Sequence, residues 1–186
     1  TNDEQTATSW LDPKQTASGT MGYMFTQCES VHCRSVAPLQ DTPAIKSIYE
    51  LIITTEKKYI TYASGNKTEE GIKDGKRVSY FKMDIPVESY LLAIASGNLE
   101  ERKVGDRSYV ISEPNMVEAA AAELDQLEDA LVAAENYLIP YEWGDYKILI
   151  LPPAFPFGGM ENPLLTFASP TCLLYTSDAA DEAKCG

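Results

Sequence analysis

The chain has 186 residues, 44% of them apolar, enough to build a packed core. Its formal net charge is −13, and the excess is uneven: residues 99–171 carry 13 acids against 4 bases, whereas residues 1–98 carry 12 against 10. This charge argues against nucleic acid as a partner and fits a cationic ligand better, although excess acid also serves solubility; no apolar run approaches the length of a membrane span.

The N-terminal stretch TNDEQTATSW lacks the basic-then-apolar pattern of a leader and begins without Met, which leaves room for an upstream segment. In YMFTQCESVHCRSVAP the residues alternate. Phe25, Gln27, Glu29, Val31 and Cys33 share one face of an expected strand, and Met24, Thr26, Cys28, Ser30, His32 and Arg34 share the other. SIYELIITT predicts a second strand and SGNKTEEGIKDGK a polar loop with three glycines. VSYFKMDIP alternates again and is expected to end at Pro86, and SYLLAIASGNLEERKV is a further apolar run broken near Gly97. Strands punctuated by turns imply an antiparallel module.

Beyond residue 98 the pattern changes. NMVEAAAAELDQLEDALVAAENYL places Val117, Ala120, Leu124, Leu127, Leu131, Ala134 and Leu138 three and four apart, the apolar stripe of one helix. Asn115 with Glu118 resembles a capping box, and Pro140 marks the stop. The six acids of this helix have no Lys or Arg within it, and a solvated acidic face is expected. YKILILPP reads as a strand buried on both sides, so helix and strand together form an α/β unit. That unit, if incomplete, is expected to expose both its Leu stripe and this strand.

The last residues, CLLYTSDAADEAKCG, continue none of this periodicity. They look like the translated end of a sequencing adapter, and residues 172–186 are expected to be a non-native tail. Cysteines stand at 28, 33, 172 and 185, without a Cys-x-x-Cys pair, and His32 is the single histidine, without a metal-spaced partner. On one strand Cys28 and Cys33 would point to opposite faces, which favours free thiols over a bridge. His32 reads as a hydrogen-bonded structural residue.

FPFGGMENP, residues 155–163, follows the buried strand. Paired glycines permit unusual dihedrals and a close approach of backbone to ligand. A strand edge beside them could accept an extended peptide, with the Glu161 carboxylate next to it. The same residues also suit a plain turn carrying an exposed acid.

GGMEN resembles the Gly-x-Met-Glu-Asn exopeptidase signature of the aminopeptidase N-type zinc metallopeptidases. YEWGDYKILILPPAFPFGGMENPLLTFASPT, together with YMFTQCESVHCRSVAPLQDTPAIK and SWLDPKQTA, is similar to the leukotriene A-4 hydrolase and aminopeptidase B subfamily, from about Ser9 to Thr171. The resemblance implies a multi-domain α+β fragment. Residues 1–98 would be the later part of an N-terminal antiparallel, saddle-like β domain, and residues 99–171 the opening of a thermolysin-like α/β catalytic domain. It further implies that Gln27, Cys28 and Glu29 line a substrate cleft from one side. Pro156, Phe157, Gly158, Gly159, Met160, Glu161 and Asn162 would line it from the other, with Glu161 and Glu29 gripping the free ammonium of a peptide. The implied partners are peptides with a free N-terminus and the implied location is the cytoplasm.

Members that open lipid epoxides usually carry Gln where Glu29 stands, which tilts the expectation toward peptides, and Phe157 replaces a Tyr. The family binds zinc through His-Glu-x-x-His and a distant Glu. No such motif occurs here. Zinc is therefore expected in the full-length parent and not in this chain, which would hold the substrate-anchoring half of a site and no catalytic residues. The alternative expectations are a non-catalytic peptide-binding module and a parent that also opens lipid epoxides.

Overall fold

The structure, a computed structural model, describes residues 5–171; the expectation of a non-native tail at 172–186 lies outside the described residues. In chain order the strands are Thr8–Leu11 (β1), Tyr23–Thr26 (β2), Lys46–Glu56 (β3), Ile60–Ala63 (β4), Asn66–Lys73 (β5), Lys76–Glu88 (β6) and Ile94–Gly97 (β7). Glu100–Lys103 (β8) and Ser108–Ser112 (β9) come next, then the helices Val117–Glu123 (α1) and Leu127–Tyr137 (α2). Tyr146–Ile150 (β10), Gly159–Met160 (β11) and Thr166–Ala168 (β12) complete the described elements.

Three sheets result. One is ordered β1-β2-β7-β4 and a second β3-β6-β5, both antiparallel. The third is ordered β11-β12-β10-β9-β8; β9, β10 and β12 run parallel at its centre, while β8 and β11 are antiparallel edges. The two helices make the crossover from β9 to β10 that a parallel pair requires. In chain order β7 is the last strand of the first sheet and β8 the first strand of the third.

Several local expectations are corrected. The polar stretch 64–76 contains a strand, β5, although all eight of its residues are exposed. It pairs along β6, and the turn is the two-residue Asp74-Gly75, both with positive φ (50° and 74°), a geometry that matches hairpin twist. β6 does not stop at Pro86 but runs on to Glu88. Its register against β3 shifts between Ser47 and Tyr49, so Pro86 lies in an irregular part of the ladder where its missing N–H is tolerated. The strand expected across residues 23–34 is only four residues long. After Thr26 the chain turns, with His32 N–H donating to Cys28 O (2.9 Å) and a short 3₁₀ turn at Cys33–Ser35. The face assignment beyond Thr26 therefore fails, and Cys28 and Cys33 come together in one buried cluster.

The expected single helix is two, broken at Leu124–Gln126, and the capping box does not form. Asn115 instead donates to Ala17 O (2.9 Å) and Glu118 pairs with Arg102 (2.6 Å), because partners from distant segments reach them. Nor are the helical acids without basic partners. Arg107, just before β9, pairs with Glu128 (3.1 Å) and with Glu135, while the Ser108 hydroxyl donates to Glu128 (2.6 Å). Gly105 permits this clamp, since a Cβ there would lie 2.4 Å from Glu128 Cβ.

The apolar stripe is covered at its start and open at its end. Ala120, Leu124 and Leu127 pack on Val110, Ile148 and Ile150 of the third sheet, whereas Leu138 is 76% exposed. The strand around Leu149 is not bare as expected: Leu149, Ile150 and Leu151 are fully buried. Ile150 lies beneath the helices, while Leu149 and Leu151 meet the β segment. Tyr23, Phe25 and Ala95 of the first sheet share a core with Ile111, Leu149, Phe155, Met160, Leu165 and Phe167. Each large side chain buried there contributes about 1.5–3 kcal/mol.

The Arg107 clamp predicts a pH dependence. Hydrogen bonding from Arg107 and from the Tyr141 N–H lowers the Glu135 carboxyl from its ordinary 4.5 to about 2. A depressed carboxyl stabilises the fold above its ordinary value, and that contribution is lost as pH falls toward 2. Amide protection across 127–137 should persist at pH 4 and fade toward pH 2, and Arg107→Ala should reduce it already at neutral pH.

Candidate functional site

The diglycine segment begins where β10 leaves the core. Phe155 N–H closes a turn onto Pro152 O (3.0 Å), and Ser169 N–H donates to Gly158 O (2.9 Å). Gly159 and Met160 then pair antiparallel with Ala168 and Phe167, making β11 a two-residue edge strand. The diglycine works differently from the sequence expectation. Neither Gly158 nor Gly159 is among the residues with positive φ; at Gly159 the backbone passes close to β12, and a Cβ would approach Phe167 O to 3.2 Å, a tight contact.

After β11 the chain turns tightly. Leu165 N–H donates to Asn162 O (3.1 Å), with Pro163 and Leu164 at the corner. Leu164 has φ 67°, a conformation that costs an ordinary L-residue roughly 1–2 kcal/mol. Burial of its side chain against Met83 and Val87 of β6 holds it there. The sequence offered one signal for this turn, the Asn-Pro pair.

The structure brings the two sequence-singled segments into contact at one point. Gln27 N–H donates to Ala7 O (2.7 Å), which fixes the backbone just past β2, and Gln27 Nε2 lies 3.4 Å from Met160 Sδ. Glu29 and Glu161 are both exposed, as are Pro156, Gly158 and Gly159, and Phe157 is 48% exposed. Met160 and Asn162 are buried, and Asn162 Nδ2 reaches Met160 O (3.5 Å) and Leu165 O (3.4 Å). Asn162 thus braces the backbone on either side of the turn. Cys28 is buried too; donation of its thiol to Cys33, then burial, push its pKa up and keep it neutral. It packs with Ala7, Cys33 and Leu92. His32 Nδ1 lies 2.8 Å from Thr6 Oγ1.

Three supporting features escaped the sequence reading. Phe155, buried between exposed neighbours, stacks edge-on with Phe25, Phe157 and Phe167. Leu164 joins the turn to the second sheet. Glu113, buried at the end of β9, accepts hydrogen bonds from Ala17 N–H (2.7 Å), Ser18 N–H (3.1 Å) and the Ser18 hydroxyl (2.7 Å), tying the loop after β1 to the third sheet. Among the described residues no group of three His, Cys, Asp or Glu side chains is arranged to hold a metal ion. None of their helices is long and apolar enough to cross a membrane.

Comparison with known proteins gives this geometry a family. The Peptidase M1 N-terminal domain matches residues 10–91 and the Peptidase family M1 domain matches residues 122–185. The chain belongs to peptidase family M1. It is 44% identical over 176 residues to leucine aminopeptidase 2 of Neurospora crassa, covering 93% of this chain and 26% of that protein. Against leukotriene A-4 hydrolase of Xenopus laevis the identity is 40% over 176 residues, covering 93% and 29%. Native yeast LTA4 hydrolase superposes with a TM-score of 0.84 at 37% identity, and a yeast LTA4 hydrolase in complex with Bestatin with 0.84 at 38%; each match covers 93% of this chain and 27% of the other. The architecture is an N-terminal β domain followed by the start of the M1 catalytic domain, and the chain spans little more than a quarter of the length of these relatives.

Gly159→Ala tests the close approach of β11 to β12. It should cost about 1–2 kcal/mol in urea unfolding of the 186-residue chain. Amide exchange should quicken at Met160 and Phe167 and stay unchanged along α2.

Proposed function

We propose that the chain supplies the substrate-holding part of a zinc-dependent aminopeptidase that removes N-terminal residues from peptides. One observation carries this reading: Gln27 Nε2 lies 3.4 Å from Met160 Sδ, so the Gln-Cys-Glu segment lies against GGMEN beside the edge strand β11. Residues 1–98 act as the later part of the N-terminal β domain and residues 99–171 as the opening of the catalytic domain.

An extended peptide adds to β11 by main-chain hydrogen bonds, the mode an edge strand offers. Pro156, Phe157, Gly158 and Gly159 form one wall, Gln27 and Glu29 the other, with Cys28, Met160 and Asn162 beneath. Glu161, aided by Glu29, receives the peptide's ammonium. Two unit charges 4 Å apart attract by about 4 kcal/mol at an effective dielectric of 20 and about 1 kcal/mol in bulk water. Enclosure of the site thus decides how strongly a chain end is preferred over a chain interior.

Zinc supplies an activated water in such enzymes. The donors present do not fit the metal: the sequence holds one histidine, and the described residues hold no metal-binding group. Its ligands are assigned to the remainder of the longer protein, and the 186-residue chain by itself is inactive. Similarity to proteins named leukotriene A-4 hydrolase supports epoxide opening as a second reading. Glu29 favours peptides, because a carboxylate there adds to the attraction for an ammonium.

In the full-length protein, Glu161→Gln should lower kcat/KM for an aminoacyl-anilide by about 100-fold, the order expected when one partner of an enclosed charge pair loses its charge. N-acetylated peptides should resist wild-type enzyme. Glu161→Gln within twofold of wild type would contradict the proposal, as would zinc-dependent turnover by the isolated chain.

A further inference from the structure

Phe155 lies outside the set of exposed residues that form the proposed cleft wall, yet its ring touches the elements that carry them. It is 4% exposed, while Pro156 and Phe157 beside it face solvent. Its ring centroid lies 5.6 Å from Phe25 with the planes at 81°, 6.0 Å from Phe167 at 87°, and 5.9 Å from Phe157 at 70°. Phe25 is on β2, two residues before Gln27. Phe167 is on β12, directly across from Met160. Phe157 is itself a wall residue, half in solvent, with Phe155 as the buried ring beneath it.

Edge-to-face contacts are directional, because the positive rim of one ring meets the negative face of the next. A side chain of similar size without a ring fills the volume but does not orient Phe157. The Phe155 N–H, held by Pro152 O (3.0 Å), fixes where this pivot stands.

We propose that Phe155 is a positioning residue for substrate binding: it holds the Phe157 ring in place against a bound peptide. This rests on the reading of β11 as the peptide-holding edge. It acts on ground-state and transition-state binding alike, since the bond-breaking groups are assigned elsewhere in the longer protein. Its loss therefore raises KM and spares kcat.

The test uses the full-length, zinc-loaded protein with an aminoacyl-anilide substrate. Phe155→Leu should raise KM about tenfold and leave kcat within about twofold, with zinc content unchanged. Phe157→Leu should do the same, and the double variant should be no worse than Phe157→Leu alone, because the ring being positioned is already gone. Phe155→Met, unbranched and close in volume, gives the same comparison should the Leu variant fold poorly. An unchanged KM, a fall in kcat alone, or effects of the two positions that multiply would each overturn the assignment. Glu161→Gln in the same assay separates the two ideas. If it loses activity while Phe155→Leu behaves as wild type, only the role of Phe155 falls; if it matches wild type, the peptide-edge reading falls and the Phe155 role with it.

Discussion

One apolar core joins the two halves of the chain, and the candidate site exists because of it. Tyr23, Phe25 and Ala95 from the first sheet interlock with Ile111, Leu149, Phe155, Leu165 and Phe167 from around the third. Neither sheet could bury that face alone. The aromatic members set directions as well as area, since Phe155 meets Phe25 and Phe167 edge-on. Gln27 and Met160, 133 residues apart in the chain, meet at the rim of the same core. Their contact is a consequence of the packing beneath them, because a single long hydrogen bond to sulfur is too weak to bring two sheets together.

Around this core, polar groups work as ties between segments. Glu113 is buried and accepts from two backbone N–H groups and a hydroxyl of the loop after β1. Arg107 secures α2 against the hairpin of β8 and β9 through Glu128 and Glu135. Leu164 accepts an unfavourable backbone conformation in order to reach Met83 and Val87. Each tie crosses between elements far apart in sequence. The Leu164 tie follows closely on the short strand β11, whose own pairing is only two residues long.

The acid excess has two parts with different physical meaning. Part is structural, since Glu118, Glu128 and Glu135 are spent on Arg102 and Arg107. The rest includes Glu29 and Glu161, which stand exposed on the segments that carry Gln27 and Met160. Net charge alone could not separate these, because Coulomb attraction depends on distances that composition does not contain.

Much of the architecture was legible in sequence. Alternation and turn residues announced the β segment, a three-and-four spacing the helical one, and an unbroken apolar run the central strand β10. GGMEN and Gln-Cys-Glu marked the candidate site. The errors were local and share a cause. Polar alternation in 27–34 imitated a strand that is a turn, β5 lacked any apolar face because it is an exposed edge, and Asn115 with Glu118 imitated a cap. A local turn decided the first, pairing with the adjacent strand β6 the second, and partners from distant segments the third. By itself the sequence determined which residues could be buried and which chemical groups were available, since both follow from side-chain type and periodicity. Only the tertiary structure decided that Gln27 meets Met160, that Phe155 stands beneath Phe157, and that Cys28 faces Cys33. The first of those contacts depends on how two sheets share a core, and spacing along the chain carries no record of it.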